Sequence, residues 1–195
     1  MSVERLRQGQ RIVGTMVRLV GVPAVARIAR QAGLDFVMLD MEHGPLSCEA
    51  LEHHILAAER VGIAPIVRVE AITESAIIRP LDKGAAGLLV PHVDSGRMAQ
   101  DVLRFSRFAP KGERGMGAIP GREAEYEKAV AEYERALALD PNYAFALNML
   151  GLTYGTMGDN DKALAMLNRY AAVSPGDANP LDSIAGLYHG MGDLD

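Results

Sequence analysis

The chain has 195 residues, of which 49% are hydrophobic and 23% charged, with a net charge of −5. Residues 1–118 carry 15 Lys+Arg against 13 Asp+Glu, and residues 119–195 carry 5 against 12. Neither half offers the basic surface that nucleic-acid binding needs, and no apolar run approaches the ~20 residues of a membrane span. Length allows one large or two small domains. Cys48 is the only cysteine, so no internal disulfide can form. Residues 1–10 are polar and mixed in charge, without an apolar signal core. A cytoplasmic chain with no nucleic-acid or membrane partner is expected.

From residue 11 short apolar runs alternate with amphipathic segments. Strands are predicted over residues 11–17, 35–40, 64–69 and 86–91. Helices are predicted over 23–31, from Ser47 to the stop at Gly62, over 73–83 and over 95–108. Pro23 suits a first helical turn, Ser47 suits an N-cap, and Gly33, Gly62 and Gly84 suit helix ends. Four strand–helix units in series imply a parallel sheet with helical crossovers. The runs Val37-Met38-Leu39 and Leu88-Leu89-Val90 are apolar throughout, as in strands covered on both faces. A doubly wound sheet and a (β/α)₈ barrel both fit.

Polar side chains collect where these strands end. Asp40, Glu42 and His43 follow strand two, Arg68 closes strand three, and Pro91 and His92 follow strand four. In a parallel α/β fold the strand C-termini share one rim, where sites are built. His43 beside Asp40 reads as a general base oriented by a carboxylate, or as a loop imidazole satisfied by local hydrogen bonds. Arg68 could hold a substrate carboxylate with its fork, or pair with Glu42 or Glu70. Asp82, in Leu81-Asp82-Lys83-Gly84, could orient a catalytic group or be solvated. His53 and His54 read as surface or packing residues of a helix, and His92 fits either role. Gly115 and Gly117, in Arg114-Gly115-Met116-Gly117, could let backbone approach an anionic ligand or make a plain turn.

The ordered set Asp40-Met41-Glu42-His43-Gly44-Pro45, Pro65-Ile66-Val67-Arg68-Val69, Leu81-Asp82-Lys83-Gly84-Ala85-Ala86-Gly87, Val90-Pro91 and Pro110-Lys111-Gly112-Glu113-Arg114-Gly115 resembles the N-terminal part of the HpcH/HpaI aldolase family, over about residues 4–118. The resemblance implies a partial (β/α)₈ TIM barrel of about four units. It implies a metal-dependent 2-oxo-acid aldolase, a carbon–carbon lyase working through a pyruvate enolate, with a small 2-oxo acid and an aldehyde as reactants. It makes His43 the acid/base, Asp40 and Asp82 its supports, and Arg68 the group that stabilises enolate or carboxylate, with Gly115 near substrate. A divalent metal (Mg, Mn or Co) is implied too. The family's metal carboxylates lie on later strands, and residues after 118 resemble no such strand, so metal ligands are not expected in this chain.

After residue 119 the pattern changes. Pro141 recurs at Pro175, Ala129 at Ala163, Tyr154 at Tyr188, Gly158 at Gly192, and Leu150 matches Ile184, all 34 residues apart. That interval and those residue types resemble tetratricopeptide repeats, which imply a helical array and a peptide partner. The expected domains are therefore 1–118, partial barrel, and 119–195, repeat segment, joined at Ala118-Ile119-Pro120-Gly121. Two functions follow: the aldolase reaction, or protein interaction through the repeats with the aldolase part a remnant. A half barrel with open strand edges is also expected to self-associate.

Overall fold

The computed structural model describes residues 2–115 and 123–192. A short helix α1 (Ser2–Arg7), not expected from the sequence, precedes β1 (Gly14–Val17), α2 (Val25–Gln31), β2 (Phe36–Asp40), α3 (Cys48–Arg60), β3 (Ala64–Arg68), α4 (Glu74–Asp82), β4 (Gly87–Leu89) and α5 (Gly96–Ser106). The strands are parallel and lie in the order β1-β2-β3-β4. Each new strand is thus added on the same side of the one before. The predicted strands and helices are all present, with shorter first and fourth strands than the apolar runs suggest.

Local chemistry explains the helix limits. Ser47 caps α3 by accepting from Ala50 N, and Thr73 caps α4 by accepting from Ala76 N. Both are short hydroxyl residues that satisfy an otherwise unpaired first-turn N–H. Gly33, Gly62 and Gly84 take φ values of 80°, 70° and 99° just past the ends of α2, α3 and α4, the left-handed stop that favours glycine.

Burial alternates along β2 and β3. Val17, Val37, Leu39 and Val67 are buried in one core with Ala26 and Ala29 of α2 and Leu51, Ile55 and Ala58 of α3. The opposite face carries Met16, Phe36, Met38 and Ile66, which are only partly covered; Met16 is 46% exposed. The expectation of strands buried on both faces holds for the helix-covered side of Val37-Met38-Leu39 alone; in β4 Leu88 is half-buried and Leu89 exposed. Among the described residues β1 and β4 each pair on one side only.

The chain forms two compact units, Met1–Ser106 and Arg107–Asp195. The second contains α6 (Glu123–Leu139), α7 (Ala144–Thr156), α8 (Asn160–Val173) and α9 (Asn179–Met191). Helix α7 buries residues all around, from Ala146 and Leu147 to Thr153 and Tyr154, as befits a helix packed against α6, α8 and α9. Gly151 lets α7 and α8 close up: a Cβ there would stand 2.7 Å from Leu167 Cδ2. The segment before α6 packs with these helices, since Phe108 meets Tyr133 edge to face at 5.6 Å and Tyr133 Oη donates to Arg114 O. Gly117 and the junction expected at residues 118–121 lie outside the described residues. No helix among the described residues is long and apolar enough to cross a membrane.

Candidate active site

Asp40 ends β2 and Arg68 ends β3, and parallel pairing sets them side by side. Arg68 Nε donates to Asp40 Oδ1 at 2.9 Å and Nη2 to Oδ2 at 2.6 Å. This bidentate fork is the strongest form of carboxylate recognition by a side chain. Asp40 is fully buried. Its Oδ1 also accepts the backbone N–H groups of Glu42 and His43 at 3.0 and 3.2 Å. Arg68, with the N–H of His43 and Glu42, holds the Asp40 carboxyl down at about 2, against burial that by itself would raise it. Asp40 in turn raises the Arg68 guanidinium further above its ordinary value.

The turn after β2 wraps round this pair. A Cβ on Gly44 would overlap the Asp40 carbonyl oxygen and stand 3.4 Å from Arg18 O, so only glycine fits. Met41 N donates to Arg68 O at 3.0 Å and ties the turn to β3. Arg18, just past β1, brings Nε to 3.9 Å from Asp40 Oδ2 and 3.5 Å from His43 O.

Glu42 is the second carboxylate of the rim. Its Oε2 lies 3.1 Å from Arg68 Nη1 and its Oε1 2.8 Å from His92 Nε2. His43 Nε2 is 3.7 Å from the same Oε1, beyond hydrogen-bond reach, and the His43 side chain is half-exposed. The structure therefore brings Asp40, Glu42, His43, Arg68 and His92 together, but it corrects the expected His43–Asp40 pairing. Asp40 meets His43 through the main chain and spends its carboxylate on Arg68. Arg68 pairs with Glu42, as one sequence reading allowed, and with Asp40, which was not foreseen.

Asp82 lies elsewhere in the first unit. Asp82 is the last residue of α4, before β4, and Ala86 N already pairs with Pro65 O near the start of β3. Asp82 thus sits toward the end of the sheet where the strands begin. Gly115 belongs to the second unit, where a Cβ would stand 3.3 Å from Met149 Sδ. His54 is buried with Nδ1 2.8 Å from Ala50 O, and His53 is exposed, as packing and surface residues would be. The sequence reading missed Arg18, whose signal is its place one residue past β1, and left His92 open.

A hard divalent cation needs several free carboxylate oxygens in fixed geometry. Both Asp40 oxygens are occupied by N–H donors, and the Glu42 oxygens face Arg68 and His92. No group of three or more His, Cys, Asp or Glu among the described residues is placed to hold a metal. The residues of this rim do not fit such an ion.

Comparison with known proteins bears on the origin of this rim. The family model described as HpcH/HpaI aldolase/citrate lyase matches residues 20–169. The chain belongs to the HpcH/HpaI aldolase/citrate lyase family. The match spans Asp40, Glu42, His43, Arg68 and His92, and runs past the break expected at residue 118 into α8. The chain is 34% identical over 139 residues to 2-keto-3-deoxy-L-rhamnonate aldolase of Escherichia coli O17:K52:H18, covering 70% of this chain and 52% of that protein. It is 34% identical over 139 residues to the same-named protein of Shigella sonnei, with the same coverage. The chain thus spans about half the length of the curated relatives it matches. Among solved structures, an HpcH/HpaI aldolase from Desulfitobacterium hafniense DCB-2 superposes with a TM-score of 0.59 at 23% identity, over 95% of this chain and 86% of that one. A family protein from Burkholderia cenocepacia J2315 gives 0.57 at 23%, over 97% and 88%. At that identity the likeness is one of fold.

Proposed function

We propose that the rim binds a small 2-oxo acid and works in carbon–carbon bond cleavage or formation through its enolate, as an aldolase does. The observation that carries this reading is the held guanidinium of Arg68. Asp40 and Glu42 engage Nε, Nη2 and Nη1, yet Nη1 and Nη2 each carry a second N–H. An arginine fixed in this way meets a carboxylate or a developing enolate oxygen without reorganising, which is where electrostatic catalysis gains most. An imidazole of the rim moves the proton, His43 by the family resemblance. Asp40 serves by fixing Arg68. An aldehyde is the second reactant.

A divalent Mg, Mn or Co ion, expected from the family, would act as a Lewis acid on the 2-oxo acid. The residues described above do not hold one, so no step here runs through it. The strand order runs without the reversal of a doubly wound sheet, which supports reading residues 1–118 as four units of a (β/α)₈ barrel. Among the described residues β1 and β4 each pair on one side only, which supports self-association.

The test is pyruvate release from a 4-hydroxy-2-oxo acid, with and without added Mg²⁺, Mn²⁺ or Co²⁺. Release that is lost in Arg68→Ala is expected. No release above background under any of these conditions sinks the reading.

A second reading, a peptide-binding module of tetratricopeptide type in residues 119–195, is favoured by one observation. Helices α7 and α8 fill the 34-residue interval, with Gly151 and Ala163 at their close approach. Saturable peptide binding that survives Arg68→Ala would support it.

A further inference from the structure

Arg18 stands one residue past β1, and the register that pairs Val17 with Leu39 sets it beside Asp40. The carboxylate it meets there is already taken. Asp40 Oδ2 accepts from Arg68 Nη2 at 2.6 Å, while Arg18 Nε stays 3.9 Å away and reaches His43 O only at 3.5 Å. Both of these Arg18 contacts are made by Nε, so Nη1 and Nη2 have no acceptor among the described residues. The neighbouring sequence supplies none: residues 19–34 contain no acidic side chain. The Arg18 side chain is 53% exposed. A guanidinium presents its N–H groups in a fixed plane that matches a carboxylate, and here the outer part of that plane is left for a ligand. Arg68 and Arg18 converge on one oxygen of Asp40. A molecule held at Arg68 therefore has a second cation within the length of a short carbon chain.

We infer that Arg18 selects substrates with a second carboxylate. The rim takes a short 2-oxo diacid, its 2-oxo end toward Arg68 and its far carboxylate on Nη1 and Nη2 of Arg18. The inference rests on the aldolase reading and narrows its substrate class: the aldehyde released from such a diacid is itself an acid. One carboxylate matches one guanidinium fork in charge and in shape. A phosphate dianion would set one more negative charge against Asp40 and Glu42. Arg18 in this role is a binding group, and the bond-breaking step belongs to the other residues of the rim.

The test has two readouts on the full chain. Calorimetry compares 2-oxoglutarate with 2-oxopentanoate, which differ only in a terminal carboxylate against a methyl group and need no turnover to bind. The diacid should bind about tenfold more tightly, and less so as salt is added. Arg18→Gln should bring that ratio to about one at an unchanged melting temperature. Arg18→Lys should restore part of it, since an ammonium keeps the charge and loses the fork. Cleavage then compares 4-hydroxy-2-oxoglutarate with 4-hydroxy-2-oxopentanoate, with Mg²⁺ present. A diacid preference in kcat/KM that is carried by KM and lost in Arg18→Gln is expected. Equal affinity for the two probes, binding of neither, or a diacid preference that survives Arg18→Gln overturns the inference. Cleavage of both 4-hydroxy acids at equal kcat/KM overturns it too and leaves the aldolase reading standing. Diacid-selective binding that depends on Arg18, with cleavage of neither 4-hydroxy acid, overturns the aldolase reading and supports the Arg18 site.

Discussion

Asp40 and Arg68 are register partners on neighbouring parallel strands, and the guanidinium closes on the carboxylate through two hydrogen bonds of 2.9 and 2.6 Å. The rim depends on this pair, because Arg68 holds Glu42 with its remaining terminal nitrogen and Asp40 holds the following turn by two backbone N–H groups. Removing the buried partner leaves those donors unmatched. Asp40→Ala should destabilise the first unit by about 3 kcal/mol, read as a shift in the urea midpoint. An unchanged midpoint would mean that the pair contributes nothing to stability.

The pH response of the same carboxyl has a definite sign. Its folded value, about 2, lies below the ordinary 3.8. Its contribution to stability is therefore complete above about pH 4 and is lost as the pH falls toward 2. Urea unfolding at pH 5 and pH 3 should show a loss on acidification that is smaller in Asp40→Asn. Equal losses in both proteins would assign the acid sensitivity to other groups.

Gly44→Ala tests the turn. The added methyl would overlap the Asp40 carbonyl, so the turn must open and withdraw the N–H groups of Glu42 and His43 from Asp40. A lower melting temperature by several degrees, together with weaker pyruvate binding, is expected. A variant indistinguishable from the parent in both would show that the turn has room.

In the helical unit, Gly151→Ala places a methyl 2.7 Å from Leu167 Cδ2 and 3.2 Å from Ala163 O. Overpacking of this kind costs about 1–3 kcal/mol. Thermal unfolding followed by helical circular dichroism should report a loss of that size, partly restored by Leu167→Ala. A stable single variant argues that α7 and α8 can separate at little cost.

The sides of β1 and β4 that are unpaired among the described residues, with the partly covered Met16, Phe36 and Ile66 between them, should draw copies of the chain together. Light scattering after size-exclusion chromatography should give a mass above 21.0 kDa that falls on dilution. A monomer at every concentration would set this expectation aside.

Much of the first unit is legible residue by residue. Ser47, Thr73, Gly33, Gly62 and Gly84 act over three or four residues, so their roles show in the local sequence, and the gathering of Asp40, Glu42, Arg68 and His92 follows from strands that all end on one side. The partners of these residues are not legible in that way. Asp40 stands three residues from His43 in sequence, which suggests an imidazole–carboxylate pair, yet its carboxylate faces Arg68, 28 residues away. Asp82 reads as part of the same motif set, but a residue that closes a helix before a strand belongs to the other edge of the sheet. His92 carries no local mark of its left-handed backbone or of its contact with Glu42, 50 positions earlier.

The sequence by itself determined the elements, their parallel sense and which side chains reach one rim, since these follow from apolar period, caps and stops that act between near neighbours. Only the tertiary structure decided who pairs with whom there. Register across separate strands, and the turn that seats Glu42 between Arg68 and His92, are settled by packing between segments distant in the chain, and no local pattern records that choice.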